Sequence, residues 1–161
     1  MMPIRATKLS LNLPFGLGGI TIEPNEAEQR AAWTLYVELM TRVAVQPLDP
    51  DTGLLSEALK SLYSLFDLTR KILLEAGSGV AHGPESLGPV AIEVLNKGLR
   101  PFTAKWHPRL SDYETKRPAE MSQIEHERQW QYYDEMRDEL AEVQEKMRSY
   151  AEALAKIAGA K

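Results

Sequence analysis

Apolar residues occupy every odd position from Leu9 to Leu17: Leu9, Leu11, Leu13, Phe15 and Leu17. A period of two belongs to a strand with one covered face. Gly16, Gly18 and Gly19 allow a reversal, and Ile20-Thr21-Ile22 alternates again. Residues 1–23 are therefore predicted to form a short β-hairpin or extended arm. Two strands alone are marginal in water, so the leucine face must be covered by the body of the same chain or by a neighbouring subunit.

From Pro24 the period becomes helical, and residues 24–161 are predicted to form one helical body. Pro24-Asn25-Glu26 is a start signal, after which Trp33, Tyr36, Val37, Met40 and Ala44 fall on one stripe, giving a helix over about 25–45 with that stripe inward. A second helix over about 53–76, capped by Asp51 or Thr52, turns Leu55, Leu59, Leu62, Phe66, Leu73 and Ala76 inward until Gly77 stops it. The third, over about 86–106, buries Leu87, Ala91, Val94, Leu95 and Phe102. It contains Pro101 and is expected to kink near Gly98. Pro108 biases His107 toward extended backbone, so 108–118 reads as irregular.

The fourth helix, over about 122–158, opens with the capping-box sequence Ser122-Gln123-Ile124-Glu125 and has no internal Pro or Gly. Tyr133, Met136, Leu140, Val143, Met147, Tyr150, Leu154 and Ile157 alternate spacings of three and four, a heptad seam. At about 1.5 Å per residue this helix would be roughly 50 Å long and would outreach the others. Either one end protrudes to meet a partner as a coiled coil, or the seam is the inner face of an antiparallel bundle. The expected fold is mainly α, a four-helix bundle with a long C-terminal heptad helix and the N-terminal arm.

The chain has 161 residues, a formal charge of -4 and no cysteine. One domain is expected, and disulfides, thiolate metal sites and cysteine nucleophiles are excluded. The sequence lacks a spanning or signal segment, which with the lack of cysteine fits a cytoplasmic protein. Charge is uneven: residues 97–117 carry +4 and residues 119–161 carry -4.

Ala31 to Leu39, Ser61 to Phe66, and Leu99 to Pro108 together resemble a family of small bacterial proteins of unknown function, some of whose members look membrane-anchored at the N-terminus. The resemblance implies a bacterial source and supplies no activity. Where those members would carry the anchor, this chain has the leucine arm.

Arg100 and His107 lie seven residues apart, nearly two helical turns, and so share one face if the helix continues past Pro101. This pair is similar to the Arg…His motif of the HEPN ribonucleases, helical bundles that work as dimers. That resemblance implies a metal-independent ribonuclease in which His107 activates a ribose hydroxyl and Arg100 holds the phosphoryl charge. The alternative is a helix end decorated with cations that complement its dipole. His82 and His126 have no second ligand at metal spacing, so no metal and no cofactor are expected.

The leading expectation is a non-enzymatic helical interaction or oligomerisation protein, a homo-oligomer with a dimer favoured or a protein that docks another. Its contacts would come from Leu9, Leu11, Leu13, Phe15 and Leu17 of the arm and Tyr133, Leu140, Met147 and Leu154 of the seam. Nucleic acid is a partner only under the ribonuclease alternative with Arg100 and His107.

Overall fold

The computed structural model describes residues 8–160; positions 1–7 of the arm and Lys161 lie outside the described residues. The fold is mainly helical, with a two-stranded antiparallel hairpin at the N-terminal end. β1 (Leu9–Leu13) pairs with β2 (Gly18–Ile22), Leu9 opposite Ile22 and Leu13 opposite Gly18. The hairpin lies on its own chain: β1 packs on the C-terminal helix, and Leu11, Leu13 and Ile22 are buried there. The turn requires a positive φ at Phe15 (61°) and Gly16 (72°). For phenylalanine this left-handed geometry costs on the order of 1 kcal/mol.

Four helical rods pack in a ring. α1 (Glu26–Met40) touches α2 (Leu55–Ala76) and α6 (Tyr133–Ala158), while α4 (Arg100–Glu114) closes the ring against α2 and α6. α3 (Leu87–Glu93) continues into α4 through a π-helical segment, Val94–Leu99, and α5 (Gln123–Arg128) is a short helix ahead of α6. No helix among the described residues is long and apolar enough to cross a membrane.

Of the stripe expected inside α1, Ala44 is buried in the turn after the helix and Tyr36 half-buried against the core, but Trp33, Val37 and Met40 face out. The core takes Ala31, Ala32, Leu35 and Leu39, whereas Trp33, Val37 and Met40 are 50, 39 and 36% exposed. α1 has apolar residues on two faces. The alanine-bearing face goes inward, where it lets α1 lie close to α6, which itself buries Ala151 and Ala153. α1 also ends earlier than expected, at Met40, followed by a single 3-10 turn, Val43–Val45.

The third helix shows no break at Pro101. The wide π turn absorbs the ring: the Arg100 N–H bonds Leu95 O, five residues back, and the chain stays helical through Pro108 to Glu114. Pro108 is solvent-exposed, as is Ala104, whose carbonyl loses its partner. His107 is consequently helical, and 108–114 is not irregular. Gly98 serves packing: a Cβ there would stand 2.5 Å from Phe15 Cδ2. The Phe15 ring covers this glycine, with Lys146 Nζ 5.8 Å from the ring centroid on α6, and the contact offsets the strain of the hairpin turn.

The expected helix 122–158 is broken at Gln129–Tyr132. Continuous helix would send Trp130 and Tyr132 to different faces, but the turn gathers both. Trp106, which is fully buried, meets Trp130 edge-on at 5.8 Å and Tyr132 at 6.1 Å, and Trp130 stacks on Tyr113 at 5.5 Å. Apolar burial and aromatic geometry outweigh the few helical hydrogen bonds lost. Only the serine half of the expected capping box forms, Glu125 N–H donating to Ser122 Oγ at 3.2 Å. A complete box stands instead at Asn25 and Glu28.

The heptad seam is bundle core. Met136, Leu140, Met147, Tyr150, Leu154 and Ile157 are buried, and Tyr133 and Val143 are half-buried against the core. Leu140, Met147 and Leu154 are thereby consumed inside the chain, as are Leu11 and Leu13, with Leu9, Phe15 and Leu17 partly buried against the same core. Replacing Gly98 with alanine should lower stability by about 1–3 kcal/mol through overpacking against Phe15, read as a lower Tm. An unchanged or higher Tm would mean that the ring swings away freely.

Candidate functional site

Two buried carboxylates cap helices far away in sequence. α2 begins at Leu55 behind Leu54, which has no capping side chain. Its first N–H groups are satisfied by Glu127: Leu55 donates to Oε1 at 2.7 Å and Ser56 to Oε2 at 3.1 Å. The expected caps Asp51 and Thr52 lie upstream, in a turn whose Asp51 and Thr52 N–H groups donate to Asp49 and hold its carboxyl below the ordinary value. α3 is capped likewise by Glu28, which accepts from Leu87 N–H at 2.9 Å and Asn25 N–H at 3.1 Å and pairs with His82 Nε2 at 2.7 Å. Both glutamates are fully buried. Burial holds the Glu127 carboxyl above the ordinary carboxylate value, the hydrogen bonds from Leu55 and Ser56 work against that, and nearby Glu114 adds to it.

A cleft of about 380 Å³ lies between α2, α4 and the start of α5. Its floor is apolar, from Leu59, Tyr63 and Leu110, and its rim is polar, from Ser56, Lys60, His107, Ser111, Glu114 and Gln123. The size and the mixture of apolar wall with a few polar groups are those of small-molecule sites. The His107 ring stands edge-on to Tyr63 at 5.0 Å. Gln123 Nε2 donates to Ser56 Oγ at 2.8 Å, which ties α5 to the start of α2. Glu114 Oε1 is buried and accepts no hydrogen bond among the described residues.

Arg100 shares the α2-facing side of α4 with His107, as the seven-residue spacing implies, but not the cleft. Its guanidinium lies over the Phe66 ring at 4.7 Å and its Nε donates to Asn96 at 3.3 Å, in a separate hollow lined by Leu73, Leu74 and Ile92. By helical rise the two are about 10 Å apart. Of the other five basic residues of the 97–117 tract, Lys97 pairs with Glu93, Lys116 with Asp112 and Lys105 with Glu139 at 2.8 Å, while Arg109 lies over the Trp106 and Tyr132 rings and Arg117 donates to Met121 O. Glu139 also accepts from Trp106 Nε1 at 2.6 Å.

His126 is buried, stacked on Tyr113 at 3.8 Å, with Nε2 at 2.8 Å from Tyr113 O, while the Tyr113 hydroxyl donates to His126 O. It braces α5 against α4. Among the described residues no group of three His, Asp or Glu side chains is placed to hold a metal. The sequence reading missed Glu114, seven residues beyond His107, because it ended the helix before Pro108, and missed Tyr63, Lys60 and Gln123 because no local period joins α2 and α5 to His107.

Comparison with family models, curated proteins and solved structures finds no match to this chain; the reading of the site rests on its geometry.

Glu127→Gln leaves one acceptor oxygen for two buried N–H groups and should cost about 1–3 kcal/mol. The wild-type carboxyl is raised on folding, so its stabilising contribution is full below the unfolded value and declines as pH rises through the folded one. The stability advantage over Glu127→Gln should shrink as pH rises above about 4.5 in urea titrations. An advantage that grows with pH would show that the fold favours the ionised form.

Proposed function

We propose that this chain is a non-enzymatic helical protein that associates with a second copy of itself through the outward face of α1. The observation that carries the reading is the apolar row of Trp33, Val37 and Met40, 50, 39 and 36% exposed, with Val43, 51% exposed, in the turn after α1 and Tyr36 stacked on Trp33 at 5.7 Å. A solvent-facing helix normally shows charge at this spacing. Here the row from Trp33 to Val37 contains only Thr34 and the core-facing Leu35 besides its apolar members.

The row also suits an isologous pair. In an antiparallel crossing centred between Tyr36 and Val37, Trp33 meets Met40 of the partner subunit, and Tyr36 meets Val37 of the partner subunit. Each thioether then lies against an indole, a favourable contact. No charged side chain has to be desolvated at the centre, and Arg30 and Arg42 remain at the periphery. The four residues expose about 300 Å² between them, against about 800 Å² a side in a standard interface. The pair is therefore reversible, with a Kd in the range of roughly 10 μM to 1 mM.

Light scattering over a concentration series should rise from the 18.1 kDa chain mass toward twice that value. Trp33→Lys and Met40→Lys, both at exposed positions, should hold the protein monomeric without changing its Tm. Trp106 and Trp130 are already buried, so a concentration-dependent blue shift of tryptophan emission would report Trp33. A monomer at about 1 mM would overturn the proposal.

For the ribonuclease alternative on Arg100 and His107, mixed RNA incubated in chelator is expected to show no cleavage above that of His107→Ala. Cleavage lost in both His107→Ala and Arg100→Ala would move the function to that pair.

A further inference from the structure

The cleft beside His107 is chemically incomplete in one specific respect. Glu114 lines a cavity of about 380 Å³ and forms no ion pair among the described residues, and its Oε1, turned into the protein, accepts no hydrogen bond. A buried acceptor without a donor is costly, the more so when it belongs to an ionisable group. Three features favour positive charge at that point. Glu114 is the last residue of α4, where the helix end carries partial negative charge. Its own carboxylate adds to this. Glu127, whose carboxyl Glu114 helps to push up, supplies a second carboxyl already occupied by the Leu55 and Ser56 N–H groups.

Beyond Glu114 the cleft is lined by Leu59, Leu110 and the Tyr63 ring, which stands against the edge of His107. That surface suits a flat or branched hydrocarbon body, and an aromatic face beside the site favours a cation. We infer that this cleft binds a small organic ammonium ion, its apolar body on Leu59, Tyr63 and Leu110 and its ammonium donating to the Glu114 carboxylate.

Within the chain, the rival for Glu114 is Lys60, on the rim of the same cleft. The two form no ion pair within 4.0 Å, although Lys105, Lys97 and Lys116 all do so with their own carboxylate neighbours. Lys60 keeps its ammonium toward water, where it is well solvated. A ligand ammonium attached to an apolar body has its hydrocarbon already seated and loses less on reaching the carboxylate.

The test is a titration of the full chain with benzylamine, followed by the NMR signals of the three imidazoles. His107 lines the cleft, whereas His82 is held by Glu28 at the far end of the chain's fold and serves as the internal control. Saturable movement of the His107 signal is expected, with Kd about 1 mM or tighter for a ligand of this size, and the His82 signal should stay in place. Glu114→Gln, checked by its melting transition, should weaken binding about tenfold or more. Benzyl alcohol, the same shape without the charge, should bind at least about tenfold more weakly to the wild type. Lys60→Met should bind benzylamine as well as the wild type or better.

No saturable shift at His107 would overturn the inference, and so would equal affinity for benzyl alcohol. Preference for benzoate over benzylamine would assign the cleft to anions through Lys60 and His107. A Lys60→Met variant that melts lower while the wild type fails to bind would make Lys60 itself the intended partner of Glu114.

Discussion

The arrangement of the bundle depends on two carboxylates buried at helix starts that are not their own. α2 and α3 begin in the interior, with Leu55 and Leu87 fully buried, and neither has a side chain at its N-cap that takes the free N–H groups. Water cannot reach them, so Glu127 and Glu28 must. The desolvation of each carboxyl is opposed by the hydrogen bonds it accepts and by the positive end of the helix it faces, although at Glu127 burial still outweighs them. Position follows from this pairing: Glu127 fixes α5 against α2, Glu28 fixes α1 against α3, and α6 extends the grip along the connection between α1 and α2. There Arg148 donates to Val45 O, Gln144 to Gln46 O and Arg137 to Leu48 O. Arg128 completes the hold at Pro50 O and Asp51 O. A segment rich in proline and lacking regular structure is thus held by its carbonyls.

What the sequence disclosed was whatever a local period encodes. The hairpin, the body of α2 and the seam of α6 each repeat over a short window, and each lies where its period places it. α1 failed because two apolar stripes run along it at helical spacing, and the choice between them was made by the closeness of α6, a tertiary matter. The break at Gln129–Tyr132 failed for a similar reason: no proline or glycine marks it, and it is driven by an aromatic cluster whose members Trp106 and Tyr113 lie in another helix. The cap on Leu55 comes from 72 residues away, beyond any motif window. His107 was legible as a residue of interest, but the cleft it lines was not, because Leu59, Tyr63, Glu114 and Gln123 come together only after the bundle forms.

Two surfaces remain chemically unsettled once the core is packed. One is an apolar helix face without charge, and the other is a hollow with a carboxylate that has no donor. They lie on different helices, α1 and the α2/α4 pair, so that association on one face leaves the hollow open to solvent. The contrast between them is also one of kind: the first is governed by apolar area and is insensitive to salt, while the second is governed by charge.

The π segment between α3 and α4 has a consequence for register. Val90, Val94, Gly98, Phe102, Trp106 and Leu110 are all buried, and they recur every four residues rather than alternating three and four. In a regular α-helix each such step overshoots the buried face by about 40°, and five steps would carry the last residue about 200° around the rod. One turn that takes an extra residue takes back about 100° of that drift. The wide turn therefore works as a phase correction, without which Trp106 would point where His107 does and Lys105 would take its buried place. Such a feature is one inserted residue in length, so a single-codon insertion or deletion there, unlike a substitution, would reassign every side chain of α4 at once.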